Sequence, residues 1–198
     1  MAERVRPASA PEIVEAPPPI DFRNLFWVAA AVAVTIGAIL AEDRWLLNFV
    51  HVMTGVLWTG IDLFMGFVVG PIMRRMDPAA RRALTIRLVP RMLFLMPTLS
   101  IVTGTSGWFL AGQLGYFDLA APARHWVIAA VVLLVILTVQ GIGFLLPTNV
   151  RVYLELRRAR PDPARIMRLM RAYIYVIASQ GVLQVAMIVI MARFVSGL

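Results

Sequence analysis

Five long apolar runs, separated by short polar stretches, make up most of the chain. Within each run the apolar residues are continuous and do not alternate with polar ones, which points to helices and away from barrel strands. The pattern predicts five membrane helices, at about Asn24–Ala41, Trp45–Met73, Arg91–Gly112, Trp126–Pro147 and Arg171–Arg193. Each comes near the ~20 residues that cross a hydrocarbon core ~30 Å thick. The first is the shortest, and the second is long enough to tilt or protrude. The fold expected for residues 24–198 is therefore an all-α bundle of five transmembrane helices. Residues 1–23 read differently. Their first part, MAERVRPASAPEIVEAPPPI, is polar and rich in proline, buries too little surface to order itself, and is expected to form a flexible cytoplasmic tail.

Local signals sharpen the helix ends. Asp77-Pro78 and Asp162-Pro163 each place a capping carboxylate before a proline in the first helical turn, so the third and fifth spans should begin as helical extensions on the polar side. Pro90 and Pro97 should kink the third span, and Pro147 should kink or end the fourth. Gly66 and Gly70 form a small-residue pair suited to helix packing.

Composition supports a lipid environment. Of 198 residues 60% are hydrophobic and only 15% charged, against about 45–50% and about 25% in soluble domains. A soluble domain of this size has too little interior for so much apolar surface. That argues against disorder, nucleic-acid binding and a soluble Rossmann or TIM enzyme. The absence of cysteine removes disulfides, thiolate metal sites and covalent c-type haem.

Charge then sets orientation. The net charge of +8 comes from 19 basic residues, all arginine. They gather in two connections, one holding Arg74, Arg75, Arg81, Arg82, Arg87 and Arg91, the other running from Arg151 to Arg171. The positive-inside rule puts both in the cytoplasm, with the N-terminus, and leaves the C-terminus on the far side. Topology and anionic headgroups account for these arginines without nucleic acid. Trp27, Trp45 and Trp126 fall at the expected interfaces.

The candidate chemistry lies in the few polar groups inside the spans: His51, Asp62, Gln140, Gln180, Gln184 and the serines and threonines of the third helix. His51, Trp58 and Asp62 are spaced to share one face of the second helix, which should look into the bundle. His125 opens the fourth helix in the same leaflet as His51. Two neutral imidazoles from different helices are what a b-type haem iron takes axially. The alternatives are a structural, hydrogen-bonded His51 and an interfacial His125 beside Trp126. Asp62, Gln140 and Gln180 fall at similar depth and could form one buried layer, either as glue between helices or as a proton relay. Met92/Met96 and Met187/Met191 are spaced to share faces, as Cu(I) ligands or as core filler. No phosphate-binding loop, nucleophile elbow or zinc-protease motif is present.

From His51 the chain reads HVMTGVLWTGIDLFMGFVVGPIM. This resembles the second-helix signature of the membrane domain of cytochrome c-linked urate oxidases, through His51, Val52, Gly55, Trp58, Gly60, Phe67, Val68, Pro71 and Met73. A looser likeness, mainly His51 and Trp58, extends to copper-resistance D-type proteins and bacterial membrane protoporphyrinogen oxidases. The likeness covers residues 51–73. The chain carries no Cys-x-x-Cys-His domain, so urate oxidation itself does not carry over. What the resemblance implies is haem b in a helical bundle of the bacterial inner membrane, with His51 as ligand and Trp58 lining the pocket. On that reading the protein transfers electrons near the periplasmic face. His125 is the second ligand, Met53 and Phe64 pack the macrocycle with Trp58, and Arg44 or Arg124 pairs with the propionates. Its partners would be the lipid bilayer and other membrane subunits or a periplasmic electron carrier. Two alternatives stand beside it: a non-catalytic subunit of a larger membrane complex, and a small transporter of protons or copper. Whether the chain is an enzyme stays open.

Overall fold

The computed structural model describes residues 20–158 and 160–197. Most of the expected tail, residues 1–19, lies outside them. Five helices follow in order: α1 (Asn24–Leu40), α2 (Arg44–Arg75), α3 (Pro78–Gln113), α4 (Ala123–Leu156) and α5 (Pro163–Val195). A short 3-10 turn, Tyr116–Asp118, lies in the α3–α4 connection. Among the described residues there is no strand. Four helices, α2 to α5, are long and apolar enough to cross a membrane; α1 is a shorter apolar helix.

The helix starts follow from their caps. Asp77 accepts hydrogen bonds from the backbone N–H groups of Ala79 and Ala80 at 3.0 Å, and Asp162 from those of Ala164 and Arg165 at 2.9 and 3.2 Å. Pro78 and Pro163 then occupy a position where the missing N–H is harmless. Asp43 caps α2 through the N–H of Leu46. The capped extensions expected at Pro78 and Pro163 are present, so α3 and α5 begin well before the apolar runs do.

The prolines behave less simply. Pro90 and Pro97 lie inside α3 without ending it. Pro147 does not end α4 either, because the turns before it widen: Val139–Leu145 is π-helical, and the helix then continues to Leu156. The same device precedes Pro71 in α2, where Phe64–Val69 is π-helical. In each case the residue four before the proline, Phe67 or Gly143, lies within the wide segment. A widened turn relieves the clash between the proline ring and that carbonyl and absorbs the missing donor. The chain thus contains two hairpins of like design. Each pairs a helix carrying a π segment and a proline with a helix opened by Asp-Pro.

The hairpins α2–α3 and α4–α5 build a four-helix bundle. α3 packs on α2 and α4, and α5 packs on α4 and α2, so α2 and α4 stand at opposite corners. α1 lies outside, against α3 and α2, where Ala38, Leu47 and Leu110 form a small core. A second core, of Ile86, Val89, Val152, Tyr153 and Leu156, closes the arginine-rich end, with Ile20 packed against it. The third surrounds Trp58, Leu99 and Leu137 in the middle. Outward faces are apolar: Val139, Val182 and Val189 are all more than half exposed. Such a surface suits contact with lipid and is unsuited to water.

The α4–α5 turn at the arginine-rich end is pinned by one carboxylate. Glu155, 2% exposed, accepts from the Asp162 backbone N–H at 3.2 Å and forms ion pairs with Arg158 and Arg165, both at 3.2 Å.

Candidate functional site

Asp62 is 2% exposed and lies in the middle of the bundle. Gln184 of α5 donates from Nε2 to its Oδ2 at 2.9 Å. The Trp58 indole, one turn earlier on α2, also hydrogen-bonds to it. Both partners are uncharged. Beside them is a cavity of about 30 Å³ to which α2, α3, α4 and α5 all contribute, its polar wall made by Asp62, Ser100, Asn149, Tyr173 and Gln180. Asn149 donates to the Tyr173 hydroxyl at 3.3 Å. Gln180 is 1% exposed and its Oε1 has no hydrogen-bond partner; the Gln184 Oε1 is likewise unpartnered. A volume of this size is about one water molecule's share of the liquid.

Backbone irregularity converges on this cavity. Pro97 of α3 lines it, as do Gly141, Ile142 and Leu145 of the α4 π segment. The α2 π segment starts two residues after Asp62. Non-helical hydrogen bonding at membrane depth is tolerated where it faces protein or a wet cavity, and π segments are frequent at functional sites.

The expected single layer of Asp62, Gln140 and Gln180 is divided. Asp62 bonds Gln184, one turn beyond Gln180. Gln140 points away, donating to the Ser179 hydroxyl at 3.2 Å on the partly exposed α4–α5 seam. Gln180 lines the cavity with Asp62, with no hydrogen bond between the two among the described residues. Asn149 and Tyr173 were not singled out from the sequence, whereas Ser100 is one of the third-helix serines and threonines named there. Tyr173 was open to discovery, since Tyr173, Gln180 and Gln184 recur at seven and four residues, one stripe of α5. Met92 and Met96 line the cavity, and Met187 packs around Trp58. Among the described residues no group of three or more His, Asp or Glu is placed to hold a metal.

His51 has a different neighbourhood. Its Nδ1 lies 3.0 Å from the Thr103 carbonyl oxygen of α3. The ring rests against Gly107, where a Cβ would come within 2.6 Å of Cε1. Thr103 also donates through its hydroxyl to Thr54 at 2.8 Å, so the α2–α3 seam is a line of small polar contacts. His125 is exposed at the start of α4, the helix diagonal to α2. Met53 and Phe64, 44% and 57% exposed, face outward, whereas Trp58 faces inward to Asp62. On these placements the residues expected to hold haem b do not converge: His51 packs into the α2–α3 seam, His125 is exposed on the diagonal helix, Met53 and Phe64 face outward and Trp58 faces inward. The reason is packing. Helix periodicity put His51, Trp58 and Asp62 on one face, but that face is broad enough for His51 to meet α3 while Asp62 meets α5.

Comparison with known proteins found no matching family model, no matching curated protein and no matching solved structure.

Proposed function

We propose that the chain is a five-span membrane protein whose work is done by Asp62, as the proton-carrying group of a proton-coupled transporter. The orientation is the one the arginines favour, with both arginine-rich turns and the N-terminus in the cytoplasm. As the fifth span, α1 is about 26 Å long at 1.5 Å per residue, close to the hydrocarbon thickness.

One observation carries the reading. A carboxyl group sits in the centre of the bundle with only uncharged partners, next to a cavity of water size. Ionisable groups are expensive in that setting and by default mark function. The partner chemistry also supports it. The Gln184 amide carries both donors and an acceptor. It donates to a charged Asp62 through Nε2, and by turning over it accepts the proton of a neutral Asp62 through the Oε1 that is otherwise unpartnered. One side chain thus satisfies Asp62 before and after proton transfer, with no rearrangement of helices.

Purified protein in liposomes with an entrapped pH-sensitive dye tests this. Asp62→Asn should abolish proton flux driven by a pH or voltage gradient while the protein stays folded, and Asp62→Glu should retain part of it. Flux equal to wild type in Asp62→Asn overturns the reading.

A single feature favours a second reading, a haem b shared with another chain. With Nδ1 tied to the Thr103 carbonyl, His51 has only Nε2 left to offer, as ligating imidazoles do. A reduced-minus-oxidised spectrum of protein isolated from its native membrane decides it: no haem bands, or bands unchanged in His51→Ala, removes it.

A further inference from the structure

A second, larger hollow lies between α3 and α4 on the outside of the bundle. It has a volume of about 360 Å³ and is walled by Ser100, Gly104 and Trp108 of α3 and by Leu134, Thr138 and Ile142 of α4, with further apolar side chains around them. Ser100 and Ile142 also line the Asp62 cavity. These two side chains are therefore the wall between a groove open to the lipid face and the buried polar site. Ile142 is 42% exposed and lies on the α4 π segment, and Ser100 stands one turn beyond Pro97. The wall is thus built from the α4 π segment and from the turn of α3 that follows Pro97.

We infer that the groove is a lateral entrance, through which an uncharged, long-chain hydroxy compound enters from the bilayer with its tail in the groove and its hydroxyl between Gln180 and Tyr173, beside Asp62. This rests on the reading of the Asp62 cavity as the functional site and names what that site would bind. The chemistry of the head follows from the lining. The Gln180 Oε1, in a side chain 1% exposed, is an acceptor without a donor. The Tyr173 hydroxyl accepts from Asn149 and keeps its own proton to give. A hydroxyl both donates and accepts, and so matches the two. Asp62 is the one charged residue on the wall, and no cation accompanies it. A phosphate or carboxylate head would meet a like charge there whenever Asp62 is ionised, and a choline head would find no second carboxylate on the wall to hold its cation. The tail follows from the groove, whose volume is in the range of small-molecule sites and whose walls are mainly apolar.

The test uses full-length protein in nanodiscs and three photoreactive probes of equal chain length: a primary alcohol, its methyl ether and the matching fatty acid. Cross-links are mapped by mass spectrometry. The expected result is saturable labelling of α3 and α4 groove residues by the alcohol alone, competed by unlabelled alcohol. Ile142→Trp, at an exposed position, should block the passage and lower the apparent affinity for the alcohol about tenfold or more, and Gln180→Leu should do the same by removing one buried acceptor. Equal labelling by alcohol and ether, or labelling indifferent to Ile142→Trp, overturns the inference. Loss of proton flux in Asp62→Asn without saturable alcohol labelling overturns the entrance alone and leaves the proton reading standing. Saturable labelling with flux intact in Asp62→Asn does the reverse: the site binds the alcohol and Asp62 carries no proton for it.

Discussion

Gln184 and Asp62 reach each other across a helix pair, and most of what distinguishes the site depends on that 2.9 Å contact. Gln184→Leu leaves a buried carboxyl with the Trp58 indole as its remaining partner. It should lower stability by about 1–2 kcal/mol, the cost of leaving a buried group short of a hydrogen bond, as read by thermal unfolding in detergent. His51 offers a cleaner cycle. Gly107→Ala places a methyl against the ring and should displace it from the Thr103 carbonyl, at about 1–3 kcal/mol. In the His51→Ala background the same substitution should cost close to nothing, because the obstructing ring is gone; equal costs in both backgrounds would disprove the contact. At this scale the sequence was partly readable. An aspartate in an apolar run stands out whatever surrounds it, and Asp62 lies buried beside the polar cavity. The partners of His51 and Asp62 were not readable, because a side chain's helix face is set by spacing but the neighbour on that face is set by packing.

At the scale of elements, Asp77-Pro78 and Asp162-Pro163 announced two helix starts correctly, since the cap and the proline act within one turn of chain. Pro71 and Pro147 did not announce the π segments before them. A proline in an apolar run reads as a kink or a stop, and whether the helix widens instead depends on the helices that hold it in place. Pro147→Ala removes the reason for the wide turn. The Val139–Leu145 segment should then tighten, rotating residues 148–156 and pulling Asn149 away from Tyr173. The chain has no cysteine, so spin labels on introduced cysteines at Val150 and Ala172 would report the change as a shifted distance distribution; an unshifted one refutes it. Glu155→Gln should loosen the α4–α5 turn by about 1–3 kcal/mol, through weakened hydrogen bonds to Arg158, Arg165 and the Asp162 N–H. Hydrogen exchange confined to residues 157–165 would report it.

For the whole molecule, the orientation read from arginine has a direct check. Cysteines introduced at Met76 and Ser196 should lie on opposite sides of the membrane, Met76 protected from an impermeant maleimide in intact cells and Ser196 labelled. The number of apolar helices and their approximate limits were legible because lipid selects for long apolar runs. Their order around the bundle was not, and it places His51 and His125 on helices at diagonal corners. The connections between helices have a consequence of their own. Only Met76 and Asp77 separate α2 from α3, and six residues separate α4 from α5 with Glu155 fastening them, whereas nine residues join α3 to α4. Each hairpin is therefore a stiff leaf, and the slack in the chain is gathered at one place, the spine between the leaves. Any breathing of this protein should be that of a book, hinging at the α3–α4 connection while each cover keeps its shape.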